Sequence, residues 1–253
     1  MTITNEARQR ALVARHALDR SAPDVLSATR ALIALHSSDP LTPHLALWAR
    51  VPGYTPAALD GHLTHDLWRL HAMRRTLWVA ERQSVGLLDA AVGRKIATAE
   101  RKRLQGWAAR PDAEAWLGAL REAALDAVAA TPGIHTRTLL QQLPELATRI
   151  RVGSGKWASE QPIGSRLLFV LAMELELTRT PSSGTWKSSQ YGWKRAEPPG
   201  PMDAGDAREG LVRRYLDRFG PVTLTDVRWW TGLTAAQAKK ALAACDAEEV
   251  ALE

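Results

Sequence analysis

The sequence holds a single cysteine, Cys245, so no internal disulfide forms and a cysteine-rich zinc site is excluded. No uninterrupted apolar run approaches the ~18 residues that a membrane-spanning helix needs. The first twenty residues, "MTITNEARQRALVARHALDR", are amphipathic rather than continuously apolar, which argues against a secretory leader. These shortages together point to a reducing, cytoplasmic setting with no membrane. Phenylalanine and tyrosine are scarce, at two and three residues, against ten tryptophans. With 253 residues, 45% hydrophobic and 24% charged, the composition is that of a folded protein with room for one large domain or several small ones.

Charge is uneven along the chain. Residues 1–110 carry 16 Lys/Arg against 9 Asp/Glu, residues 111–200 carry 10 against 9, and residues 201–253 carry 7 against 9. The basic excess is thus expected in the N-terminal part, and a basic patch favours a polyanionic partner through counterion release, with DNA or RNA the usual one. Several tryptophans adjoin a cation, as in Trp68-Arg69, Lys156-Trp157, Trp186-Lys187, Trp193-Lys194 and Arg228-Trp229. Such pairs suit stacking on bases beside phosphate contacts, although buried tryptophans are more often core.

Helical periodicity dominates. It predicts helices over 5–18, over 25–35 with Asp24 as cap, from Pro43 and from Pro56, and a long one from about Glu81 to Trp107. Between the last two, "LWRLHAMRRTLWVA" reads as two short strands around Met73-Arg74-Arg75. The layout recurs: a helix over 112–130, then "PGIHTRTLLQQ", and a helix over 207–219, then "GPVTLTDVRWWTGLT". Thr223 with Asp226 and Thr234 with Gln237 have capping-box spacing, and "TGLT" between them makes the tight turn of a helix-turn-helix. The clearest wing is "LELTRTPSSGTWKSSQYGWKR", with Lys187 and Lys194 along it. The fold class expected is mainly α with short β wings, as tandem winged helices spanning 1–110, 111–200 and 201–253. "GSGK" at 153–156 lacks the spacing of a phosphate loop. His44, His62, His65 and His71 fit no zinc spacing, so neither metal nor cofactor is expected.

Three stretches carry a resemblance: "ALHSSDPLTPHLALWAR", "MRRTLWVAE" and "YLDRFGPVTLTDVRWWTGLT". Together they resemble the bacterial AlkZ-like family, which includes YcaQ-type DNA glycosylases. The resemblance implies tandem winged helices around a concave DNA-binding surface and hydrolysis of the N-glycosidic bond of bulky or cationic N-alkylpurines. In some members this serves as self-resistance to a genotoxin. The family motif after the second helix reads Gln-x-Gln or Gln-x-Asp, and the matching positions here are His36 and Ser38. The family pattern also continues into a β-rich domain beyond the third winged helix, a segment with no counterpart in the sequence given.

Chemically, a neutral His36 can take a proton from water, with Asp39 orienting the imidazole or stabilising a cationic sugar and Ser38 adding a hydrogen bond. The plainer alternative is that Ser38 or Asp39 caps the next helix while Pro40 sets the turn. Arg74, Arg75 and Thr76 match the family's wing motif, usually Arg-Gly-Thr, and together with Lys156, Trp157, Lys187 and Lys194 are the expected DNA contacts. Three winged helices in one chain suit a monomer on a single double-stranded site. Two other classes stay open: a non-catalytic DNA-binding protein, regulatory or architectural, and a resistance protein that binds an aromatic drug.

Overall fold

Local capping chemistry sets several helix starts in the computed structural model, which describes residues 2–253. After β1 (Thr2–Ile3), Thr4 caps α1 (Asn5–Arg15) by accepting from the Ala7 amide. Asp24 accepts from the Ser27 amide at 2.6 Å and opens α2 (Val25–Ala31). This helix stops short of the expected 35: Ile33 takes φ 66°, the chain turns, and Leu35–His36 becomes β2. Then follow α3 (Leu41–Trp48), α4 (Pro56–His65), β3 (Leu67–His71) and β4 (Leu77–Glu81). The single helix expected over 81–107 is instead divided into α5 (Val85–Leu88), a π-helical stretch at Asp89–Gly93, and α6 (Arg94–Ala108). The boundary between the two compact units falls after Gly93, and the wide turn leaves the Ala91 carbonyl to accept from Arg208 Nε at 3.4 Å.

The next elements are α7 (Ala113–Ala130), β5 (Ile134–His135), α8 (Thr136–Gln142), β6 (Arg149–Val152), β7 (Ser159–Pro162), α9 (Ile163–Met173), β8 (Leu177–Ser182) and β9 (Tyr191–Arg195). The chain closes with α10 (Ala204–Phe219), α11 (Leu224–Thr231), α12 (Ala235–Ala244) and β10 (Ala251–Leu252). Both capping boxes form, at Thr223/Asp226 and Thr234/Gln237, and Gly232 at φ 80° supplies the left-handed turn between the helices. β10 pairs in parallel with β1.

These elements make two compact units, one of residues up to Gly93 together with Pro199–Glu253, the other Arg94–Pro198. The expected third segment therefore shares its unit with the first. This division also relocates the charge. The first unit holds 17 Lys/Arg and 17 Asp/Glu, the second 16 and 10, so the net +6 belongs to the second unit and not to the N-terminal part as such.

Each unit contains a three-stranded antiparallel sheet of the same build, β2-β4-β3 in the first and β5-β9-β8 in the second. The short inner strand is hydrophobe-then-histidine in both: Leu35 faces Val79 and His36 faces Trp78, while Ile134 faces Trp193 and His135 faces Gly192. In the second wing Pro181 and Ser182 belong to β8, with Ser182 facing Tyr191, so the connection runs over 183–190 rather than over the expected Pro181–Gly184. The β6–β7 hairpin was not anticipated. "GSGK" is its turn, where Gly153 sits at φ 85° and a Cβ would meet the Trp157 carbonyl oxygen at 2.7 Å.

The core of the first unit gathers Val25, Ala28, Leu35, Leu47, Leu59, Leu63, Leu67 and Val79. A line of ring contacts ties in the C-terminal helices: His36–Trp78 at 5.2 Å, Trp78–Trp230 at 5.7 Å, Trp230–Tyr215 at 4.9 Å, Tyr215–Phe219 at 4.8 Å and Phe219–His16 at 4.5 Å between centroids. The second unit has its own core around Leu120, Ala124, Leu139, Leu146, Ile163, Leu168 and Leu177. Among the described residues no helix is long and apolar enough to cross a membrane.

Candidate functional site

The polar stretch His36–Asp39 leaves β2 and enters α3 beside the first wing. Its backbone is tied to β4: the Ser37 amide donates to the Leu77 carbonyl at 2.8 Å, and Ser38 Oγ accepts from the Leu77 amide at 3.2 Å. Ser38 thus anchors the loop. Asp39 Oδ1 accepts from the Leu41 amide at 2.8 Å and closes the turn that leads into α3, whose N-cap position is Pro40. No hydrogen bond joins Asp39 to His36, so Asp39 does not orient the imidazole and acts on it through charge alone.

His36 is half-buried, edge-on to the Trp78 indole, and its ring nitrogens have no hydrogen-bond partner among the described residues. Burial lowers its pKa below the ordinary 6.5, the nearby Arg74 cation lowers it further, and Asp39 opposes both. The imidazole is therefore neutral at pH 7, with a lone pair able to accept a proton. Ser37, only the spacer of the family motif, is almost fully buried and its Oγ lacks a hydrogen-bond partner.

The wing turn is built against local preference. Arg74 and Arg75 lie at φ 56° and 63°, a left-handed pair that a tight hairpin ordinarily gives to Asn-Gly. The turn is closed by the Thr76 amide and by Thr76 Oγ1, both donating to the Met73 carbonyl, at 3.2 and 2.9 Å. Thr76 accordingly holds the turn rather than reaching outward. Trp78 Nε1 donates to the same carbonyl at 3.1 Å. The Arg74 guanidinium carbon lies 4.3 Å from the Trp229 ring centroid and 5.9 Å from that of Trp78. Gly232 lies against the backbone of Arg74, and its φ of 80° is what calls for glycine there.

His36, Ser38, Asp39, Arg74, Arg75 and Thr76 thus share the first unit, around a cluster that also includes Trp229, which is 65% exposed. Trp229 was passed over as a site residue, and its signal was the Arg-Trp-Trp run just before the helix-turn-helix glycine. Lys156, Trp157, Lys187 and Lys194 lie in the second unit, on two different hairpins. Trp157 is 79% exposed with Lys156 Nζ 5.3 Å from its ring.

Two of the four histidines considered for a metal pair elsewhere. His44 is buried with Nδ1 2.7 Å from the Tyr54 hydroxyl, and His62 Nδ1 lies 2.8 Å from Asp66 Oδ2. Among the described residues no group of three or more His, Cys, Asp or Glu side chains is placed to hold a metal ion.

The sequence matches the family model described as "DNA glycosylase AlkZ-like" over residues 29–253. The chain belongs to the AlkZ-like family of DNA glycosylases. No curated protein matches it significantly. A solved structure, DNA glycosylase AlkZ of Streptomyces sahachiroi, shares the fold at 16% identity with a TM-score of 0.67, covering 99% of this chain and 68% of that one. The AlkZ-like match begins within α2 and takes in β2, the first wing and α10 to α12.

Proposed function

We propose that this AlkZ-like protein is a monofunctional DNA glycosylase that removes cationic N-alkylpurines, with His36 as the base that activates water. The observation that carries the reading is His36 itself: a neutral imidazole without a hydrogen-bond partner, at the position of the family's first motif glutamine, beside the Arg74–Trp229 stack. An N7- or N3-alkylated purine carries a positive charge and leaves readily. Water adds to C1′, the electron pair of the C1′–N bond neutralises the departing purine, and the proton of the water passes to His36. An abasic sugar and a free alkylated base result. Arg74 and Arg75 on the wing contact phosphates of the duplex, and Lys156, Trp157, Lys187 and Lys194 extend the backbone contacts as a monomer binds.

A second reading rests on Ser38 and Asp39. Both hydrogen-bond to backbone amides, as a scaffold without catalysis would have them. Base release from a duplex with a single N7-alkylguanine separates the two. Release above the spontaneous rate, lost in His36→Ala and partly kept in His36→Gln, supports the glycosylase. Salt-sensitive binding with no release by the wild type leaves a non-catalytic DNA-binding protein.

A further inference from the structure

The second unit contains an aromatic, arginine-edged cavity that the reading above does not use. It is an open space of about 620 Å³ lined by Trp107, Arg110, Trp116, Arg149 and Arg151, where the end of α6 and the start of α7 face β6. All of it lies in the unit that carries the whole net charge of the chain.

The strand pattern gives the cavity its charge. In β6, Ile150 and Val152 are buried while Arg149 and Arg151 are exposed, so the two arginines project from one face, their Cα atoms about 7 Å apart along the strand. Neither has an ion-pair or hydrogen-bond partner among the described residues. By contrast, the neighbouring cations are engaged: Arg110 is bonded to Asp112 at 2.5 and 2.8 Å, and Arg101 to Glu174 at 2.5 and 2.6 Å. Two unpartnered arginines at this spacing suit successive phosphates of an extended strand.

The indoles supply the other half. Trp107 and Trp116 are half-buried, each with a guanidinium over its ring, Arg166 at 5.4 Å and Arg110 at 4.5 Å from the centroids. A flat ligand entering the cavity meets indole and guanidinium surfaces, both of which stack on nucleobases. A base paired within a duplex cannot enter a cavity, whereas an unpaired one can.

We propose that this cavity is a binding site for an unpaired nucleotide of a polynucleotide strand, its base against Trp107 and Trp116 and its flanking phosphates on Arg149 and Arg151. The site does not depend on chemistry at His36.

The test is fluorescence anisotropy of the full-length protein with a labelled thymidine oligomer of about ten nucleotides, and with a blunt duplex of the same length. Arg149→Glu combined with Arg151→Glu is expected to weaken oligomer binding at least tenfold. Replacing both arginines by Gln should lower the slope of log affinity on log salt by about 1.4. Trp116→Leu should weaken the oligomer about tenfold while leaving that slope unchanged. Thermal melts verify that each variant folds. Unchanged oligomer affinity in the charge-reversed variant overturns the proposal. Equal losses on oligomer and blunt duplex also overturn it, leaving only a duplex-backbone face. Base release by the wild type is read separately, so failure of either reading is seen without the other.

Discussion

The Arg74 guanidinium carbon sits 4.3 Å from the centroid of the Trp229 indole, joining the first wing to the helix-turn-helix near the other end of the chain. The two residues are 155 positions apart in sequence, yet their contact holds the left-handed wing turn against α11. A double-mutant cycle with Arg74→Ala and Trp229→Ala should give a coupling of about 0.5–1 kcal/mol in urea unfolding, the range for an exposed cation–π pair. Strictly additive effects would refute this link.

His36 should titrate below its ordinary 6.5 when followed by NMR of its ring protons. Burial is the main cause, and Arg74 adds to it. Arg74→Gln removes a cation and should move the midpoint up, while Asp39→Asn removes an anion and should move it down. A downward shift in Arg74→Gln or an upward one in Asp39→Asn would show that the electrostatic arrangement around His36 is misassigned.

Arg75 at φ 63° pays a conformational cost that glycine avoids. Arg75→Gly should therefore raise stability by about 1 kcal/mol while weakening duplex binding through the lost cation. A variant that is destabilised would place Arg75 in a contact worth more than its strain.

The two capping boxes act on separate helices. Thr223→Ala and Thr234→Ala should each cost about 1 kcal/mol, and the double variant roughly the sum. Denaturant midpoints at constant m-value are the measurement, and a negligible effect of Thr234→Ala would remove the argument that this cap matters.

Burial lowers the pKa of His16 and His44 as well as that of His36, in each case as the largest cause. The unfolded chain takes up these protons near 6.5 and the folded chain only at lower pH. Stability is thus fully present above about 6.5 and declines as pH falls below it. The melting temperature should drop between about pH 7.5 and about pH 5.5, and His44→Gln should flatten part of that slope. A melting temperature that holds steady across this range would contradict the assignment.

What the sequence shows most plainly is what a few neighbouring residues decide. Asp24, Thr223 and Thr234 cap helices because a side-chain oxygen reaches an amide two or three positions on, and Gly232 turns because it alone lacks a Cβ. The break at Asp89–Gly93 was invisible: the apolar spacing runs on through it, while the boundary between the two units falls at its end. The β6–β7 hairpin was missed because Gly153 and Gly155 resembled a failed phosphate loop rather than a turn. At the site, His36 could be named from the family motif, but the stacking of Arg74 on Trp229 comes from pairing across the whole chain. The plainer alternative had Ser38 or Asp39 capping α3. Instead Ser38 anchors to the Leu77 amide of β4, a tie across the fold that no local pattern shows, and Asp39 closes the turn before the helix.

The first unit is interrupted in sequence by the whole of the second, which has a consequence for the order of assembly. As the chain emerges from a ribosome, Arg94–Pro198 can complete a core from contiguous residues, while the wing at Arg74 waits without Trp78's partner Trp230 and without Trp229. Only when α10 and α11 have been made does the ring stack from His36 to His16 close. A nascent chain thus carries the cationic unit before it carries a finished His36 environment, and DNA contact can precede chemical competence during its synthesis.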